Sequence, residues 1–289
     1  MPHLEVSVRV LLVPNPMNPR AVDAAREVAS VLLSTGYVPV MVAEDADRCG
    51  LGDLGVARSE IGDPELVLAL GGDGTILKAV HILGDIDAPI LGINLGRLGF
   101  LSGADGDDLA EALASALAGE ARIECRQTIE ASVIAGGRDA GSYRALNEVF
   151  VGRGAATRAI ELEVVVNDTP INRYLCDGVV VATPTGSTAY ALSAGGPVVA
   201  PGVRGIVVVP LAPHAINVRP LVLAPGDVLT LRCPSTARAD ACVSIDGDHV
   251  PCRTALDSVR IKVSDHDAKL MKLDGRDFYS ALARTFLGT

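Results

Sequence analysis

Strand, glycine turn and helix follow one another without a break over residues 65–83, and units of this kind, repeated through the first part of the chain, are the mark of a doubly wound parallel sheet. Residues 65–70 (ELVLAL) are apolar enough for a strand covered on both faces. Gly71-Gly72-Asp73-Gly74 then form a sharp turn, and residues 75–83 (TILKAVHIL) carry a helical pattern that Thr75 or Asp73 is placed to cap. Glycine lets backbone amides approach a phosphate with no Cβ in the way, and the helix start behind the turn adds a partial positive charge. The functional side chain of the turn is Asp73. An acid where anions are held points to metal binding or to deprotonation of a hydroxyl, as phosphoryl transfer requires. The same residues would also serve as a plain tight turn with Asp73 as its cap.

The alternation runs to about residue 122: a strand at 6–13, an amphipathic helix at 19–35 ending at Gly36, and a strand at 37–43. After an acidic, turn-rich connection at 44–64 come the strand and helix above, a strand at 89–94 and an Ala-rich helix at 107–118. From Arg122 onward the pattern becomes strands with hairpin signals at Gly136-Gly137 and Asn167-Asp168. Strand-like runs continue at 205–211, 227–233, 241–245, 258–263 and 269–273. Only the region of Ser187 and the last segment, 276–287, look helical. The expected architecture is therefore α/β plus all-β. Residues 1–122 plus 275–289 form a doubly wound domain carrying the GGDG turn, and 123–274 form a β-sandwich-like domain, with the C-terminal helix returning to the first.

Residues 176–197 (CDGVVVATPTGSTAYALSAGGP) are a second informative segment. A short buried strand at 179–182 ends at Pro184, and Thr183, Thr185, Ser187 and Thr188 cluster around Gly186. One helix cap needs one hydroxyl. The surplus, with Tyr190 on the next turn and Asp177 just before the strand, reads as a site for a polar, stackable ligand such as a nucleoside. Asn147-Glu148 interrupt another apolar strand; polar pairs are costly in a buried strand unless satisfied, so they belong at an edge or at a ligand.

Together these residues resemble the bacterial NAD kinases over nearly the whole chain. The likeness rests on Gly71-Gly72-Asp73-Gly74-Thr75, residues 92–101 (GINLGRLGFL), Asn147-Glu148, Asp177-Gly178, residues 183–190 (TPTGSTAY), Pro213-His214 and Arg219-Pro220, in the same order. The TPTGSTAY run is highly specific, whereas GGDG is shared with phosphofructokinases and diacylglycerol-type lipid kinases. The resemblance implies phosphorylation of the 2′-hydroxyl of the adenosine ribose of NAD to give NADP, with ATP or inorganic polyphosphate as donor and a divalent metal, Mg²⁺, as cofactor. It makes Asp73 the proton acceptor and Gly74 a phosphate-binding neighbour. Lys78 falls where the family often has Arg, a cation within reach of a phosphate or a solvated helix lysine. Asn147 and Glu148 would hold the ribose and nearby hydroxyls, and Asp177 and Thr185 the adenine or carboxamide edges. Thr188, Ala189, Tyr190, Ala191, Leu192 and Ser193 would line the pocket, largely through backbone, with Tyr190 stacking. Ala212 matches a contact position where a small residue leaves room, and Arg158 a variable polar contact. Asp246-Gly247 reads as an ordinary β-turn near the pocket. His214 reads as structural. Two other functions remain open at this stage: a non-catalytic dinucleotide sensor, and another GGDG-type kinase acting on a lipid or sugar.

Composition narrows the field. About half of the 289 residues are apolar, but nine are aromatic and none is Trp, so the core is built from Ala, Val, Leu and Ile. The net charge of −10 argues against nucleic acid or an anionic membrane as partner, though not against a nucleotide whose charge is met locally. Six cysteines form no CxxC pair, so reduced thiols in a cytoplasmic protein are expected. No basic, apolar leader and no apolar run near the ~20 residues needed to cross a bilayer are visible. Family members are commonly homodimers or homotetramers, and the same is expected here.

Overall fold

In the computed structural model, which describes residues 8–96, 99–154, 158–215, 217–234, 241–273 and 277–287, the chain divides into two units. The first comprises the described parts of Met1–Cys125 and Ala268–Thr289, the second those of Arg126–Asp267. The apolar runs of the first third become β1 (Arg9–Pro14), β2 (Val38–Val42), β4 (Leu66–Gly71) and β5 (Pro89–Asn94), all parallel; the short β3 (Gly55–Val56) lines the edge beside β2. Between them lie α1 (Pro19–Ser34), α2 (Ala43–Cys49) and α3 (Asp73–Leu83). The two-residue β6 (Ala104–Asp105), α4 (Leu109–Leu117) and β7 (Arg122–Arg126) follow. Asn18 caps α1 by accepting the Arg20 N–H at 3.1 Å, and Pro19 sits where its missing N–H costs nothing.

Alternate residues of the strands serve opposite faces. Leu66, Leu68, Leu70, Leu91 and Ile93 pack with α1 and α4 in one buried cluster. On the other face Ile76 of α3 lies against Gly92, where a Cβ would sit 2.4 Å from its Cδ1. Helices thus cover both faces, as the sequence leads one to expect. The strand order turns back between β1 and β4, and there Asn15 donates its N–H to Leu70 O at 2.9 Å. In open parallel sheets the carboxyl ends of the strands at such a reversal are where ligands bind.

The second unit is a pair of six-stranded antiparallel sheets. Its elements are β8 (Ile129–Ala135), β9 (Arg138–Ala145), β10 (Glu148–Arg153), β11 (Ile160–Val166), β12 (Thr169–Cys176), β13 (Gly178–Ala182), α5 (Tyr190–Ser193), β14 (Ile206–Leu211), β15 (Leu221–Leu223), β16 (Leu229–Arg232), β17 (Ala241–Ile245), β18 (Asp248–His249) and β19 (Leu256–Val263). One sheet runs β15-β14-β13-β10-β17-β18, the other β12-β11-β16-β19-β8-β9. Their inner faces share one core, with Val149, Val151, Val179, Val181 and Val208 against Val133, Leu162, Val164, Leu231, Val259 and Ile261. Both expected hairpins form. Gly136 and Gly137 have φ of +58° and +71°, Asn167 and Asp168 +48° and +66°, the left-handed pair that a two-residue turn of this hand demands. The first sheet is covered on its outer face too: Val180, Ala182, Val207 and Val209 pack with Ala191 of α5. That double burial explains the unbroken apolar run in β13.

Two strands depart from the sequence reading. β7, nearly all of which lies in the expected all-β domain of 123–274, joins the sheet of the first unit beside β20. β20 (Ala268–Lys272), assigned above to the all-β domain within 123–274, pairs in parallel with β5 and lies between β5 and β7 in the sheet of the first unit. The pentapeptide Ala-Lys-Leu-Met-Lys does not announce its partner; pairing is decided by which sheet edge it meets. α6 (Phe278–Leu287) belongs to the first unit, where the Phe278 ring lies 6.1 Å from that of Phe100.

Candidate active site

The glycine turn stands at the carboxyl end of β4, beside the strand-order reversal. Gly72, extended at φ −122°, is the residue before α3, and no side chain caps the helix. Neither Asp73 nor Thr75 therefore takes the capping role expected of it. Asp73 is instead the first helical residue, and its carboxylate turns to the segment after β5. Oδ2 accepts the Phe100 N–H at 2.8 Å and Oδ1 the Leu101 N–H at 3.2 Å. Gly99 makes this approach possible, since a Cβ there would lie 2.1 Å from Asp73 Oδ1. The buried Lys272 of β20 steadies the same segment, donating to Leu101 O at 2.8 Å and Ser102 O at 2.6 Å. Arg97 and Leu98 of the 92–101 motif lie outside the described residues. Gly74 is exposed, and a Cβ on it would meet nothing within 4 Å. The leading N–H groups of an α-helix have no intrahelical acceptor, so this open start suits a phosphate. Lys78 has a different engagement from the phosphate contact considered for it: its Nζ lies 2.5 Å from Oδ1 of the buried Asp45, tying α3 to α2.

In the second unit Glu148 begins β10 and Asn147 stands in the bend just before it, a polar pair at a strand end rather than within it. The turn after β17 meets them. Asp246, held at φ +48°, accepts N–H bonds from Leu146 at 2.8 Å, Asn147 at 2.8 Å and Glu148 at 2.9 Å, and donates its own N–H to Glu148 O at 2.9 Å. Asp246 is thus a clamp on the pair, not the ordinary turn residue it resembles in sequence. Glu148 is buried, its carboxyl takes the Tyr190 N–H, and Oε2 has no hydrogen-bond partner. Burial first, then the Asp246 charge, push the Glu148 carboxyl from 4.5 up to about 7, against the opposing Tyr190 bond.

The hydroxyls of 183–188 are less free than their number suggests. Thr183 donates to Leu146 O at 2.5 Å and accepts the Gly186 N–H at 3.0 Å; Ser187 donates to Pro184 O at 2.6 Å and accepts the Val199 N–H at 2.9 Å. Thr188 donates to Thr185 O at 3.2 Å. Thr185 Oγ1 accepts from Nη1 of Arg126, a buried arginine that the sequence reading passed over, at 3.3 Å. Thr183 and Ser187 therefore brace a tight turn, whereas Thr185 and Thr188 each make one of these bonds. Gly186 is required here because a Cβ would lie 2.0 Å from Asn147 O. Ala191 is core, Ala189 and Leu192 are half-buried, Ser193 is exposed, and Tyr190 is exposed with its ring edge-on to Phe150 at 5.6 Å.

Asn147, Glu148, Asp246, Thr185 and Tyr190 gather at one end of the β10–β13 pair, where Glu148 lies opposite Ala182. Asp177 and Ala212 gather at the other end, where Gly178 lies opposite Gly152 and Leu211. There Asp177 Oδ1 pairs with Arg153 Nε at 2.9 Å, Asp177 N–H donates to Leu211 O at 3.0 Å, and Ala212 has φ +46°. Within one chain these two residues are therefore not brought to the Glu148 group. Arg158 is exposed in the connection before β11, and His214 is exposed, its N–H on Leu175 O at 2.8 Å.

Residues 53–121 match the family model of the ATP-NAD kinase N-terminal domain, and residues 146–273 that of the ATP-NAD kinase C-terminal domain. A protein named NAD kinase from Caldanaerobacter subterraneus subsp. tengcongensis is 36% identical over 275 residues, spanning 95% of this chain and 97% of its own length. Another, from Symbiobacterium thermophilum, is 37% identical over 280 residues, spanning 96% and 98%. In fold the chain is similar to yeast NADH kinase, solved with NADH (TM-score 0.86, 24% identity, 98% of this chain and 88% of that one). It is also similar to an NAD kinase from Archaeoglobus fulgidus, solved with ATP (TM-score 0.72, 24% identity, 96% and 98%). With both domain models matched in order around the Asp73 turn and the Asn147–Glu148 clamp, the chain belongs to the NAD kinase family.

Proposed function

We propose that the protein phosphorylates the 2′-hydroxyl of the adenosine ribose of NAD to give NADP, taking the phosphoryl group from ATP or inorganic polyphosphate. The observation that carries this reading is the Asp73 carboxylate, oriented by the Phe100 and Leu101 amides at the open start of α3. Each of its oxygens keeps a lone pair for a substrate hydroxyl. Asp73 removes the hydroxyl proton as the new P–O bond forms and the donor's terminal phosphoanhydride bond breaks, releasing ADP or a polyphosphate shorter by one phosphate; such a base typically contributes ~10²–10⁴-fold. The leading amides of α3 hold phosphate oxygens, and Asn147 and Glu148 hold ribose hydroxyls.

The donor set around Asp73 is one carboxylate among backbone amides, and no group of three or more His, Cys, Asp or Glu suited to a metal occurs among the described residues. Mg²⁺ characteristically takes one or two carboxylates together with substrate phosphates and water, so these residues fit an ion carried in on the donor. Asp73 would hold it, and the ion would offset the charge of the transferring phosphoryl group. We further propose a homodimer or homotetramer; the edge strand β12, with Ile171 and Leu175 exposed, supports it. Six free thiols support a reducing, cytoplasmic setting, and among the described residues no helix is long and apolar enough to cross a membrane.

The test is a coupled assay for NADP with NAD and Mg²⁺, ATP in one reaction and polyphosphate in another. NADP from either identifies both reaction and donor. NAD binding without product from either would make the protein a dinucleotide sensor, and neither binding nor product would reopen the lipid and sugar kinases that share the GGDG turn.

A further inference from the structure

Glu148 presents a problem that the protein alone does not solve. It is 8% exposed, one carboxyl oxygen takes the Tyr190 N–H, and Oε2 is buried with no hydrogen-bond partner. As an anion it would be desolvated with an oxygen unmatched, and buried polar atoms are ordinarily matched. Among the described residues, no cation is among the groups that act on it. β13 places Ala182 opposite it, α5 contributes the Tyr190 amide, and the turn after β17 contributes the carboxylate of Asp246, the charge acting on it. Asp246 already accepts three backbone N–H bonds at 2.8–2.9 Å. That makes Asp246 the acceptor of the two carboxyls and leaves Glu148 as the one to carry a proton. A proton on Oε2 then needs an acceptor, and a hydroxyl oxygen of a bound ribose is one.

We propose that Glu148 meets the dinucleotide as a carboxylic acid, donating the Oε2 proton to a ribose oxygen, and that Asp246 is the positioning residue that keeps it in that form. This rests on the NAD kinase reading of the site. Asp246 acts twice, by fixing the backbone of Leu146–Glu148 and by setting a negative charge beside the carboxyl. Binding in this mode is strongest at acid pH and weakens as the proton is lost.

The test is NAD binding by calorimetry across pH with the full-length protein. From about pH 6 to about pH 8.5 the affinity falls by about ten-fold or more, as expected for a donor titrating near neutrality. A flat or rising profile overturns the proposal. Glu148→Gln, whose amide donates at every pH, flattens the profile; a slope that survives it overturns the assignment to Glu148. Asp246→Asn moves the midpoint to lower pH, because the neighbouring charge is gone. A uniformly weakened profile with an unmoved midpoint would reduce Asp246 to a structural clamp and overturn its part. A ¹³C-carboxyl titration of the ligand-free protein, with the Glu148 resonance identified by its loss in Glu148→Gln, gives a midpoint near 7; a midpoint near 4.5 overturns the proposal without reference to NAD. Failure of the wild type to bind NAD at any pH would strike the NAD kinase reading instead, while the titration still decides the state of Glu148.

Discussion

A carboxylate serves as a general base when its lone pairs are aimed, and at Asp73 the aim comes from two amides and one missing Cβ, at Gly99. Asp73→Asn keeps the size of the side chain and removes the proposed base. Its turnover falls by about 10²-fold or more while NAD affinity, read by calorimetry, stays within a few-fold. Loss of binding with turnover intact in the residual complex would contradict the assignment. Glu148 allows a stability prediction of definite sign. Its folded-state value of about 7 lies above the ordinary 4.5, so the folded protein binds that proton more tightly than the unfolded chain. The stability it contributes is fully present below about pH 4.5 and is lost as pH rises through about 7. Urea unfolding of wild type and Glu148→Gln at acid and mildly alkaline pH should therefore diverge, with the variant gaining roughly 3 kcal/mol at most relative to wild type as pH rises. Parallel curves would contradict it.

At the scale of elements, local chemistry was sufficient wherever a strand, a turn or a helix is decided by its own residues. The run from β4 to α3 and the two hairpins were legible because apolar alternation, glycine and Asn-Asp act within a few residues. β20 was not, because Ala268–Lys272 carries no signal for which sheet it joins. The internal bonds of the hydroxyls of 183–188 were not legible for a related reason. Their acceptors and donors include Leu146 and Val199, and a count of side chains along the chain is blind to them. β20 also carries a long-range brace on the Asp73 segment that the sequence did not suggest. Lys272→Met leaves the Leu101 and Ser102 carbonyls without their ammonium donor. It lowers stability by roughly 2–3 kcal/mol, read by thermal unfolding, and lowers kcat more than it raises KM. An unchanged kcat in the folded variant would show that the brace does not reach Asp73.

At the scale of the whole molecule, two units each hold their own core, and no disulfide joins any of the six cysteines. Cys125 is exposed, while Cys49, Cys176 and Cys233 are buried. Burial pushes Cys176 up to about 11 and also raises Cys49, Cys242 and Cys252. A thiol reagent under native conditions should thus modify Cys125 first and the others only slowly, with all reacting after denaturation. Fast reaction of several thiols in the native protein would contradict the packing described. Family and architecture were readable in the chain, and Asp73, Asn147 and Glu148 stood out in it as candidates, because apolar periodicity and turn chemistry are properties of neighbours in sequence. The contacts that give those residues their chemistry were settled by folding alone: Phe100 and Leu101 on Asp73, Asp246 on the Asn147–Glu148 backbone, Lys272 beneath the Asp73 segment, Asp45 on Lys78. Folding alone also separated Asp177 and Ala212 from the Glu148 group. Each of these links residues far apart in the chain, where direction, burial and charge exist only once the sheets have brought them together.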